Sequence, residues 1–88
     1  MKLVNIFMKD PCIGWFPVSR FEFNGHYTCT DEFAEDICFI KKCKLFKKEV
    51  ELIGESYVVH LTLQSIYSIE HPESNQAHFY AEAVLVNE

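Results

Sequence analysis

Tyr57-Val58-Val59-His60-Leu61-Thr62-Leu63-Gln64-Ser65-Ile66-Tyr67-Ser68-Ile69 is the stretch on which the reading of this 88-residue chain turns. Tyr57, Val59, Leu61, Leu63, Tyr67 and Ile69 are apolar and fall on odd positions, while His60, Thr62, Gln64 and Ser68 interrupt the even ones. A period of two marks a strand with one buried face. The run from His78 to Val86 is the expected partner, and the residues between, Glu70-His71-Pro72-Glu73-Ser74-Asn75-Gln76, combine a proline that cannot donate to a ladder with turn-forming Ser and Asn. The pair therefore predicts a long antiparallel hairpin as the spine of the fold.

Working outward, Leu3 to Met8 is a short apolar run broken by Asp10-Pro11, a first strand. Cys12-Ile13-Gly14-Trp15-Phe16-Pro17 sets the only tryptophan between two prolines and beside a glycine. It reads as an irregular loop with Trp15 and Phe16 plugging one end of the core. The competing reading leaves Trp15 exposed as a binding anchor. Val18 to Phe23 alternates again, a second strand closed by the turn residues Asn24-Gly25.

One helix is expected from Thr28–Thr30 to Lys41–Cys43. Phe33, Ile37 and Ile40 recur at helical spacing, Ala34 and Cys38 widen the stripe, and Asp31, Glu32, Glu35 and Asp36 load its first turns with negative charge. Thr28 and Asp31 resemble a capping box. Phe46 to Ile53 follows as a third strand turning at Gly54-Glu55. The expectation is a single α+β domain over residues 1–88, order β-β-α-β-β-β, with an antiparallel sheet of four to five strands and one helix on a face.

Composition narrows the function classes. The chain carries a net charge of −5 at a pI near 5.3, the wrong sign for generalised binding to nucleic acid or anionic membrane. Five of the eight bases, Lys41, Lys42, Lys44, Lys47 and Lys48, share one short segment, so the remainder sets thirteen acids against three bases. No apolar run is long enough for a membrane span. The N-terminus lacks the continuous apolar stretch of a secretion signal, which makes a cytoplasmic location with reduced thiols the expectation.

His26, Cys29, Cys38 and Cys43 are the residue types of a tetrahedral zinc site, but positions 38 and 43 point apart on a helix, and core thiols are the preferred reading. Cys43 between Lys42 and Lys44 would be an activated thiol if exposed, opposed by the helix dipole. Paired carboxylates at a helix start read as dipole partners, and the three glycines are isolated, so an enzyme is not expected. No cofactor is implied.

The function expected is protein binding: a small regulator or inhibitor using an acidic surface and an exposed strand edge. Its contact residues would be Asp31, Glu32, Glu35, Asp36, Trp15, Tyr80, Glu82 and Val84. Residues 77–86 carry only Glu82 as a charge, so an unguarded edge there would invite a partner strand or a homodimer. A compact, acidic, aromatic-rich chain of this kind fits a viral or mobile-element accessory protein that antagonises a basic host nucleic-acid enzyme. The alternative is a small zinc-binding or nucleic-acid-associated domain built on His26, the cysteines and the Lys41 to Lys48 patch.

Overall fold

Alternation along residues 57–65 does build a strand whose odd side chains Val59, Leu61 and Leu63 are buried. The computed structural model describes residues 1–10, 12–18, 23, 25–70 and 79–87. In chain order the elements are β1 (Lys2–Asp10), β2 (Gly14–Pro17), α1 (Thr30–Lys41), β3 (Cys43–Ile53), β4 (Ser56–Ser65), α2 (Ile66–Glu70) and β5 (Phe79–Val86). The five strands form one antiparallel sheet ordered β2-β1-β5-β4-β3, so the fold is α+β as expected.

The spine hairpin pairs Ser56 with Val86 and Leu63 with Phe79. That register sends Ala81, Ala83 and Leu85 of β5 to the same side as Val59, Leu61 and Leu63, and β1 adds Leu3, Ile6 and Met8. On this side lies α1, whose Phe33, Ala34 and Ile37 are buried against the sheet. Tyr27 meets Phe33 edge-on at 5.3 Å between ring centroids, within the usual range for a favourable aromatic pair. Residues 25–27 lie along the start of β1: Leu3 donates to the Gly25 carbonyl at 2.8 Å and Tyr27 to the Met1 carbonyl at 2.8 Å.

β4 stops earlier than its apolar pattern does. The ladder to β3 ends at Cys43 opposite Ser65, so past Ser65 there is no β3 backbone to pair with. The chain turns instead into α2, with the Ile66 N–H donating to the Lys42 carbonyl at 3.3 Å. The expected loop at 71–76 and most of the expected strand at 18–23 lie outside the described residues.

The second described strand is Gly14–Pro17, paired with β1 from Phe7 opposite Pro17 to Asp10 opposite Gly14. The Trp15 plug is therefore corrected. Pairing Trp15 with Lys9 turns its ring away from the helix layer; it is 51% exposed, with the Lys9 ammonium 5.8 Å from the ring centroid. The Asp10 carboxylate holds the turn, accepting from the Cys12 N–H at 2.7 Å and the Ile13 N–H at 3.1 Å.

Helix α1 ends on Lys42, which takes the left-handed conformation (φ 51°, ψ 57°) and donates its N–H to the Cys38 carbonyl. A lysine there bears a steric cost that glycine would not. Lys42→Gly should raise unfolding free energy by about 0.5–1 kcal/mol. Leu63→Ala should lower it by about 3 kcal/mol through the cavity it leaves, whereas Phe39→Ser on the solvent side of α1 should move it by less than about 0.5 kcal/mol. Urea titration followed by far-UV circular dichroism measures all three.

Candidate functional site

Helix length decides which parts of the sheet stay uncovered. Twelve residues of α1 extend about 18 Å, while eleven residues of β3 extend about 36 Å. The helix starts over Lys48, whose ammonium is ion-paired with Asp31 and donates to the Thr30 hydroxyl at 3.3 Å. Beyond Lys48 the helix-side residues Val50 and Leu52 have no helix above them. Leu52 is 63% exposed, and Ile53, on the other face of the same strand, is 60% exposed.

β3 is also an edge. Its only sheet neighbour is β4, so one side of its backbone is unpaired by any strand among the described residues. Leu45, Phe46, Val50, Leu52 and Ile53 are all exposed along it, an unusual concentration of apolar side chains for an edge. A bulge between Leu45 and Lys47 divides the strand. Bulges and lysines both discourage pairing, and both sit in the first half of β3. The half from Lys48 to Ile53 is regular.

The face of the sheet opposite α1 carries a second group. Registers place Trp15, Lys9, Tyr80, Thr62 and Lys47 in one cross-strand row and Phe7, Glu82, His60 and Glu49 in the next. His60 lies between two carboxylates, its Nδ1 3.5 Å from Glu82 and its Nε2 3.8 Å from Glu51. A shallow depression of about 350 Å³ opens here, lined by Lys47, Glu49, Glu51, His60, Thr62 and Tyr80.

The expected contact residues thus divide between two surfaces. Trp15, Tyr80, Glu82 and Val84 share the uncovered sheet face, and the acids of α1 stand on the helix layer. Three of those four acids have internal partners. Asp31 pairs with Lys48, and Asp36 accepts the Tyr27 hydroxyl at 2.8 Å. Glu32 accepts the Thr28 N–H at 2.9 Å together with the Thr28 hydroxyl, which holds its carboxyl below the usual range. The capping partner of Thr28 is therefore Glu32, not Asp31, because Cys29 occupies the N-cap and Glu32 is the third residue of the first turn.

β5 is not an edge. It lies between β1 and β4, so the strand-addition route through residues 79–86 is closed on both sides. The sequence of β5 does not distinguish these cases, since a central strand and an unguarded edge are both poor in charge.

The lysine segment is not one basic patch either. Lys47 faces the uncovered side and pairs with Glu49 at 2.8 Å, Lys48 faces the helix, and Lys41 lies 6.0 Å from the centre of the Phe23 ring. Nor are the zinc candidates assembled: His26 is β-bridged to Lys2, Cys29 precedes α1 without a side-chain capping bond, Cys38 and Cys43 lie at its other end, and no three metal-ligating side chains converge among the described residues. All four cysteines are free. Cys43 is buried, 4.0 Å from the Cys38 carbonyl, and burial pushes its thiol up to about 12, which excludes the activated-thiol reading. No helix among the described residues is long and apolar enough to cross a membrane.

No family model, curated protein or solved structure matches this chain.

Iodoacetamide at pH 8 should label the exposed Cys12 and Cys29 and spare Cys43 until the fold is opened with urea, as read by mass spectrometry. An unfolded thiol ionises near 9 while the folded Cys43 holds its proton to about 12. The unfolded state therefore binds fewer protons in that window, and stability should fall as pH rises through it. Cys43→Ala should flatten that fall.

Proposed function

We propose that this chain is a non-enzymatic protein-binding domain, a regulator or inhibitor that acts by taking a strand of its partner onto β3. The observation that carries the reading is the regular second half of β3, unpaired by any strand on one side and flanked by exposed Val50, Leu52 and Ile53. An added strand would satisfy the outward backbone groups by main-chain hydrogen bonds, and apolar side chains on both faces would supply contact area. Activity by occupancy also fits an enzyme-free reading, because the one thiol with adjacent lysines is buried and protonated.

The acidic helix surface contributes less to this reading. Its charges are largely engaged in capping α1 and tying it to the sheet, and exposed charges of this kind mainly steer association.

Val50→Lys with Leu52→Lys places two gatekeeper charges on the edge by replacing exposed side chains only. The variant should keep the thermal midpoint of the parent within a few degrees and weaken capture of its partner by at least about tenfold. A Glu35→Lys variant on the helix surface should leave capture intact. If Glu35→Lys abolishes capture and the edge variant does not, the contact surface is the acidic helix and the edge proposal fails.

A further inference from the structure

The side chains of β3 beyond its bulge alternate in chemistry as well as direction. Glu49 and Glu51 point to the uncovered sheet face, where both line the shallow depression beside His60 and Tyr80. Val50 pairs with the buried Val59 and Leu52 with Tyr57, so these two point to the helix side. Side chains directly opposite on neighbouring antiparallel strands lie about 5 Å apart and interact pairwise, with opposite charges favourable and like charges unfavourable. An incoming strand therefore meets carboxylates on one face and aliphatic side chains on the other. Glu82, two strands in beyond His60, adds a third carboxylate to the same face, on which Lys47 pairs with Glu49.

A second copy of the chain offers β3 mixed charge rather than uniformly basic side chains. Two-fold antiparallel pairing of β3 with itself opposes residues whose numbers are symmetric about a centre. Centring on Lys47 or Lys48 sets that lysine against itself, and centring on Glu49 or Glu51 does the same with a carboxylate. Centring on Val50 opposes Glu49 to Glu51 twice. Each of these registers places at least one like-charge pair directly opposite, although centres at Lys48 and Glu49 also oppose Lys47 to a carboxylate twice; a centre at Leu52 leaves only the last residues of the strand to overlap.

We infer that the strand β3 takes up is a basic one from a different protein: an extended segment in which Lys or Arg alternates with Val, Ile or Leu. Its cations face Glu49 and Glu51, and its aliphatic side chains cover Val50 and Leu52. This rests on the edge reading given above and adds the chemistry of the partner.

The test uses two end-blocked, fluorescently labelled peptides of alternating Lys-Val and alternating Glu-Val, titrated with the full chain by anisotropy at low and moderate salt. The Lys-Val peptide should bind, more weakly as salt rises, and the Glu-Val peptide should not. Glu49→Lys with Glu51→Lys should reverse the preference, weakening Lys-Val and strengthening Glu-Val by about tenfold each. Val50→Lys with Leu52→Lys should remove binding of the Lys-Val peptide.

Equal binding of both peptides, lost in the Val50→Lys, Leu52→Lys variant, would overturn the basic specificity and leave the edge reading standing. Lys-Val binding that neither double variant alters would locate the peptide elsewhere on the acidic surface and overturn both. Absence of binding by either peptide overturns the inference. Sedimentation of the unliganded chain as a dimer that Val50→Lys, Leu52→Lys dissociates would make the occupant a second copy and overturn it as well.

Discussion

One contact holds the architecture together: the stripe of Phe33, Ala34 and Ile37 on α1 against Val59, Leu61, Leu63, Ala81, Ala83 and Leu85 on the sheet. An antiparallel sheet of five strands has two faces, and among the described residues the one long helix packs on one of them. Burial there supplies the main favourable term for a domain of this size. The buried alanines give β5, the central strand of the sheet, low relief on this side, while the larger Phe33 and Leu63 are fully buried in the same core. Half of β3 lies beyond the helix and is surface.

Three of the four acids of α1 help to place that helix. Glu32 secures the first turn through Thr28, Asp36 receives the buried Tyr27 hydroxyl, and Asp31 ties the helix start to Lys48. Burial, reinforced by Asp36, raises the Tyr27 phenol, so that hydroxyl remains a hydrogen-bond donor across the physiological range. Such contacts explain an acidic helix without a partner. The carboxylates of Glu49, Glu51 and Glu82 differ because they lie on the uncovered face, Glu49 and Glu51 on the edge strand itself, where Glu49 pairs with Lys47 and His60 lies between Glu51 and Glu82.

The same geometry separates what protects this sheet from what exposes it. The bulge at Leu45 to Lys47 and the lysines around it disturb the first half of the edge, as edge strands commonly require. The second half has carboxylates on one side only, and its Val50, Leu52 and Ile53 are open to solvent. β3 set against itself brings like and opposite charges together, whereas a basic strand would meet opposite charge at both Glu49 and Glu51.

From the residues alone, the local periods were readable: alternation in Tyr57 to Ile69, of which Ser56 to Ser65 is strand, its partner run His78 to Val86, the three-to-four spacing of Phe33, Ile37 and Ile40, and the turn at Gly54, whose φ of 62° suits glycine. These depend on neighbours in sequence, and they were enough for an α+β fold with one helix on an antiparallel sheet. Tertiary structure decided what depends on distant partners. It placed β5 in the centre, because β1 returns to pair with it; it made Gly14–Pro17 a strand and left Trp15 outward, because β1 offered a second edge; and it ended β4 at Ser65, where β3 runs out. It also moved the candidate contact surface from β5 to β3. A strand's own side chains define its faces, but which of its edges stays open depends on every other strand in the sheet.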